Sequence, residues 1–243
     1  MIPIKAYSIG DAHQQILSKL LIKGKVQMTQ DGEFTLELLD MVIDIQHPLD
    51  EPMVHPGSNF QGGKLQAYVD GLINGTEGEF TYDYHGRLFQ WGRMEMSDLD
   101  DLGVDQPSEL LGYLSAKENR DSRRAVMITW YPWKDLGYSG PCLQYVQLVI
   151  RDGAVHMTVL FRSNDGLSAA GANMFALVGL QSWFAARLGV AVGSYCHHSV
   201  SMHAYVLRDQ KEVEDMLMKE NGWTRDVARA RLVNQRPDVP WKV

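Results

Sequence analysis

Cys142 follows Pro141 and precedes an apolar run, and side chains able to assist a thiol follow it at intervals. Arg162-Ser163-Asn164-Asp165 comes next, then Asn173, then His203-Ala204-Tyr205, while Arg123 and Arg124 lie upstream. The thiolate is the nucleophilic form of cysteine, and a nearby guanidinium favours it. An Arg fork beside a hydroxyl suits phosphate oxygens. A carboxamide at 173 offers a donor and an acceptor together, which suits the N3–H and O4 edge of uracil; a carboxylate there would favour the cytosine edge. His203 and Tyr205 are two apart, so on a strand they face one side. Such a set suits a phosphorylated, planar, electrophilic substrate. Taken singly, each residue has a plainer reading. Cys142 would be a small buried hydrophobe, Asn173 a helix cap, the adjacent arginines a solvated face, and the His/Tyr pair ordinary packing.

Positioning these groups is the task of the surrounding elements. The runs 143–151 and 155–161 are rich in β-formers and joined by Asp152-Gly153, a strong hairpin signal. Antiparallel return would bring Arg162 back beside Cys142. Residues 173–188 form a long helix, apolar nearly all round and stopped by Gly189, so it is expected to be a buried central helix. Residues 199–207 read as another strand. Upstream, Ser8 opens a helix with Asp11 in the capping position and Gly24 as its stop. Residues 35–45 read as a strand, the proline-rich stretch after Pro48 as a loop, and residues 64–73 as a short helix ended by Asn74-Gly75. Within the aromatic stretch 80–91, Gly86 suggests a turn or a close backbone approach. The acidic stretch 96–104 reads as a surface loop, 107–114 as a helix, and 124–133 as a strand running into a loop. Residues 211–219 and 225–233 read as terminal helices. No repeat or linker is visible, so a single α+β domain spanning 1–243 is expected, with a mixed sheet packed against the long buried helix and flanking helices.

The composition sets limits. A chain of 243 residues can bury a deep core, and 45% apolar with 22% charged residues is ordinary for a globular protein. A formal charge of −7 argues against nucleic-acid binding by the whole surface, though not against a local basic pocket. The two cysteines, Cys142 and Cys196, give neither a disulfide framework nor zinc spacing, and a reducing cytoplasm is the simpler setting. His197-His198 lacks a third ligand at a recognisable spacing, so no metal is expected. No signal region follows Met1, and no apolar run approaches the ~18 residues of a membrane span.

Together these motifs resemble the thymidylate synthase family, and its shorter archaeal members in particular. The resemblance spans roughly residues 9–210. It rests on Arg123-Arg124-Ala125-Val126, Pro141-Cys142-Leu143-Gln144, Arg162-Ser163-Asn164-Asp165, Asn173 and His203-Ala204-Tyr205, with an offset of eleven from Arg162 to Asn173. Tyr82-Asp83-Tyr84-His85-Gly86-Arg87-Leu88 is similar to an upstream family segment. The resemblance implies that Cys142 adds to C6 of a pyrimidine nucleotide, most simply dUMP on the way to dTMP. C5 would then attack a methylene group carried by a reduced pterin, 5,10-methylenetetrahydrofolate or a methylene-tetrahydromethanopterin-type relative. Arg162 and Ser163 would hold the 5′-phosphate, joined by Arg123 and Arg124 from the neighbouring subunit of a homodimer. Asp165 would anchor the pterin or a site water, Asn173 would read the base, and His203 and Tyr205 would hold the sugar. Tyr84 would assist proton removal at C5, and the C-terminus through Val243 would fold over the filled site.

Three departures stand out. The family's glutamate is missing from Lys64-Leu65-Gln66-Ala67-Tyr68, and Glu51 precedes that stretch in a loop. Ala170-Gly171-Ala172 stands where the family has a proline before its asparagine. Leu143 replaces a histidine common in bacterial members. A pyrimidine nucleotide 5-hydroxymethylase, or a non-catalytic nucleotide-binding relative, therefore remains an alternative.

Overall fold

The Asp152-Gly153 turn forms as expected. Both residues take positive φ, 50° and 74°, the mirror-image turn that matches strand twist. It joins β5 (Leu143–Arg151) to β6 (Ala154–Asp165) in antiparallel register. The computed structural model describes residues 1–56, 62–75, 84–92, 103–137 and 140–242. Among them, one mixed sheet runs in the order β1-β3-β7-β6-β5-β4, with β2 added to β3. Its other strands are β1 (Ile2–Ala6), β2 (Lys25–Met28), β3 (Phe34–Ile45), β4 (Ala125–Ile128) and β7 (Ala191–Tyr205). Helices are α1 (Ile9–Lys23), α2 (Gly63–Asn74), α3 (Tyr84–Phe89), α4 (Gln106–Ser115), α5 (Pro132–Asp135), α6 (Ala170–Leu188), α7 (Gln210–Asn221) and α8 (Arg225–Val233). The fold is α+β, as the sequence predicts.

The hydrophobic layer lies between one sheet face and the helices. Val146, Leu148, Val155, Val159, Phe161, Ile43 and Tyr195 are buried there against α6 residues such as Leu177, Leu180 and Phe184. α6 is the crossover between the parallel strands β6 and β7. Within α6, the buried Gln181 donates from Nε2 to the carbonyls of Val155, Gly193 and Ser194. Those carbonyls flank a register shift between β6 and β7, and the amide satisfies groups the ladder leaves open.

The strand expected at 199–207 starts at Ala191 and ends at Tyr205, and β1 and β2 are additional to the expected elements. The first half of β7 is poor in β-formers, and its pairing with β6 holds it extended. Gly86 lies inside α3 rather than at a turn. Within the loop expected after β4, Pro132 opens the short α5. Of the acidic loop expected at 96–104, residues 96–102 lie outside the described residues, as do Tyr82, Asp83 and Val243.

Gly171 has a packing role of its own. A Cβ there would come within 2.7 Å of Nδ1 of the buried His13. Contacts that short force a shift, and overpacking a core typically costs ~1–3 kcal/mol. Gly171→Ala is therefore expected to destabilise by roughly that amount, read as a lower urea midpoint; an unchanged midpoint would show that the ring moves freely.

Candidate active site

Strand direction assembles the site. β6 and β7 are parallel and β5 runs against them, so the start of β5 and the ends of β6 and β7 share one edge of the sheet. Arg162 N donates to Cys142 O at 2.8 Å, Ser163 pairs with Ser201, and Asp165 pairs with His203. At this level the inward–outward alternation changes phase. Burial runs 155, 157, 159, 161 and then 164 in β6; 195, 197, 199 and then 202 in β7; 36 and then 41 in β3, where Asp40 takes φ 53°. β5 shifts register between Leu143 and Tyr145. A row of irregularities therefore crosses four neighbouring strands. Such features re-aim side chains next to sites, and Cys142, Ser163 and Asn164 sit along this row.

Cys142 is half-buried immediately before β5, and its Sγ lies 3.5 Å from Ser163 Oγ. Tyr84 OH accepts the Leu143 N–H at 3.3 Å, which places that phenol beside the cysteine. Arg162 does return to Cys142, but through the backbone. Its guanidinium donates to Pro141 O at 3.2 Å and Gly140 O at 2.5 Å, bracing the loop that presents the thiol. His203 and Tyr205 share a side of β7, with rings perpendicular and 5.1 Å apart. Burial lowers the His203 pKa and raises that of Tyr205.

Asn173 does not cap α6. Ala169 takes that position, and Asn173 lies one turn inside, its N–H bonded to Ala169 O. The freed carboxamide, 6% exposed, accepts the Tyr68 hydroxyl at 2.7 Å and donates to Asn164 Oδ1 at 3.0 Å. Asn164 Nδ2 in turn meets His197 Nε2 at 2.9 Å, and His197 Nδ1 meets Tyr195 OH at 2.9 Å. Burial drives the His197 pKa down to about 3, so the ring is neutral at ordinary pH. Burial pushes Tyr68 up to about 12, and the charge of a Cys142 thiolate adds to that rise.

Asp165 turns Oδ1 to the N–H groups of Leu167 and Ser168, and Oδ2 pairs with Arg208 at 2.6 Å. Arg208 also lies over the Tyr205 ring, 4.3 Å from its centroid. Arg123 and Arg124 are exposed and far from this edge within the chain: Arg123 O is held by Gln147, well along β5. Glu51 is exposed in its loop and accepts the Met53 N–H. Tyr68, Asn164, His197 and Arg208 are the side chains that sequence reasoning left out of the site. Tyr68 and Asn173 are 105 residues apart, and only the packing of α2 on α6 joins them. No group of three or more His, Cys, Asp or Glu suited to a metal occurs among the described residues. Nor, among them, is any helix long and apolar enough to cross a membrane.

The thymidylate synthase family model matches residues 74–234, which carry Cys142, Arg162, Asn173, His203 and Tyr205. The chain belongs to the thymidylate synthase family. It is 37% identical to a protein of Methanocaldococcus jannaschii named "Putative thymidylate synthase", over 86% of this chain and 93% of that one. Relatives of the same name from Methanothermobacter thermautotrophicus and Methanosarcina acetivorans are 31% and 32% identical. These cover 88% and 83% of this chain, and 97% and 88% of theirs. Thymidylate synthase membership implies a nucleotide substrate and a reduced folate-type partner, and supports a pyrimidine C5-methyltransferase.

Proposed function

We propose that this chain converts dUMP to dTMP through a covalent adduct between Cys142 and C6 of the uracil ring. The observation that carries the reading is the convergence, on one sheet edge, of a half-buried thiol, a hydroxyl 3.5 Å from it, and a buried carboxamide. Addition of the thiolate to C6 makes C5 an enolate-like carbon nucleophile. Ser163 and Arg162 bind the 5′-phosphate, His203 and Tyr205 hold the sugar, and Tyr84 sits where it can assist loss of the C5 proton. Asn173 reads the N3–H and O4 edge.

The pterin supplies the one-carbon unit and, in the methylating outcome, the hydride. Asp165 fits its ring: after Arg208 one lone pair remains on Oδ2 to accept a ring N–H. Gln210 ties the C-terminal tail down through both its amide atoms, taking Lys242 N–H at 2.8 Å and donating to Lys242 O at 3.0 Å.

A homodimer completes the phosphate site. The sheet face away from the helices carries Tyr145, Val149, Leu160 and Val200, half-buried or exposed, and the exposed Arg123 and Arg124 precede its edge strand β4. A second copy covers that face and brings the two arginines to its neighbour. The reaction runs in the cytoplasm.

Incubation of [5-³H]dUMP with methylene-tetrahydrofolate or methylene-tetrahydromethanopterin tests the reading. Tritium release with a product of dTMP mass is expected. A product heavier by one oxygen would assign a hydroxymethylase instead. No release from dUMP, dCMP or the ribonucleotides would leave only nucleotide binding.

A further inference from the structure

His13 is a buried titratable group that the reaction above leaves idle. It lies on α1, 2% exposed, behind the turn that follows Asp165. Its Nε2 is 2.8 Å from Gly166 O. A carbonyl oxygen only accepts, so Nε2 carries the hydrogen and donates it. Burial lowers the pKa of the ring to about 4, so near neutral pH it is uncharged and Nδ1 is bare. That nitrogen is buried as well, and no hydrogen-bond partner meets it among the described residues. Gly171 packs against it, and the His55 ring stands edge-on to His13 at 5.3 Å. A buried acceptor without a donor is costly. Native chains keep such exceptions mainly at functional sites.

What His13 holds is the Gly166 peptide. The N–H of that residue donates to His203 O at 2.6 Å, so it is gripped from β7 on one side and from α1 on the other. The next two N–H groups, of Leu167 and Ser168, converge on Asp165 Oδ1 at 3.1 and 2.9 Å. Backbone therefore fixes one carboxylate oxygen, while Oδ2 is left to the half-exposed Arg208. Slack at Gly166 would pass straight to Oδ1. His203 is better secured, because it pairs with Asp165 in β6 and with Glu37 in β3.

We propose that His13 is a positioning residue for the pterin: by holding Gly166 O, it sets the angle at which the Asp165 carboxylate meets the pterin ring. The inference rests on the reading of Asp165 given above. His13 acts only through the turn.

The test measures tritium release from [5-³H]dUMP against the concentration of whichever methylene pterin supports it, for wild type, His13→Leu and His13→Gln. Leucine removes the donor, whereas glutamine carries an amide N–H of similar reach. His13→Leu should raise the pterin KM about tenfold, the effect of one lost hydrogen bond, with kcat and the dUMP dissociation constant within a few-fold of wild type. His13→Gln should bring the KM back towards wild type. In a cycle with Asp165→Asn, the leucine change should raise the KM no further, because its effect passes through that carboxylate. An unchanged KM in His13→Leu, or a raised one that glutamine does not restore, would overturn the positioning role and leave the functional reading standing. Equal weakening of dUMP and pterin would do the same. Wild-type protein that releases no tritium with either pterin would overturn both. Should the leucine protein not fold, His13→Asn, too short to reach Gly166 O, takes its place.

Discussion

Cys142→Ser is expected to lower turnover by on the order of 10³-fold or more, while leaving the dissociation constant for dUMP within a few-fold of wild type. The two halves of that expectation have separate causes. A cysteine thiol already holds a few per cent of thiolate near neutral pH, whereas a serine hydroxyl holds essentially no alkoxide, so attack on C6 loses its nucleophile. Nucleotide affinity rests on other groups: Ser163, Asn173, His203 and Tyr205 keep their places, because Cys142 joins the sheet edge through its backbone carbonyl and not through its sulfur. Serine can also preserve the polar contact with Ser163. Single-turnover assays and calorimetry on the same variant separate chemistry from binding. Full turnover by the serine variant would exclude the covalent mechanism, whichever C5 product the enzyme makes.

Acid is expected to unfold the protein earlier than its carboxylates alone would require. His197 and His13 are buried and neutral, with pKa values lowered by burial from 6.5 to about 3 and about 4. The sign follows from proton counting. Above pH 6.5 both rings are neutral in the folded and the unfolded chain, so they favour neither. Below it the unfolded chain takes up protons that the fold refuses, and stability falls with pH until the folded values are reached. Between pH 7 and pH 5 each ring should cost about 2 kcal/mol of unfolding free energy. His203, whose pKa is lowered in the same sense, adds to the trend. The carboxyls held low by their arginine partners, Asp135 and Glu214 among them, lose their contributions only at lower pH. Urea midpoints at pH 7 and pH 5 measure the drop. His197→Asn should flatten it by roughly half. Equal midpoints at the two pH values would show that the rings titrate normally in the fold.

Much of this protein was legible along the chain because its signals are local. The Asp152-Gly153 turn sets its own backbone angles, Ser8 caps its own helix by accepting the Asp11 N–H, and the apolar run of α6 must be buried wherever it lies. Cys142, Arg162, Asn173 and the His203/Tyr205 pair were visible as residue types at characteristic offsets, and from them came the family and the class of substrate. What the chain alone left open depends on contacts between distant segments. The first half of β7 forms because the neighbouring strand β6 supplies its hydrogen bonds, not because its residues favour extension, and β1 is too short to stand without its pairing to β3. The Asn173 carboxamide is held between Tyr68, 105 residues away in sequence, and Asn164, which meets a histidine whose neutrality comes from complete burial. Local chemistry named the reacting groups; three-dimensional packing, by excluding water and choosing each partner, determined which way they face.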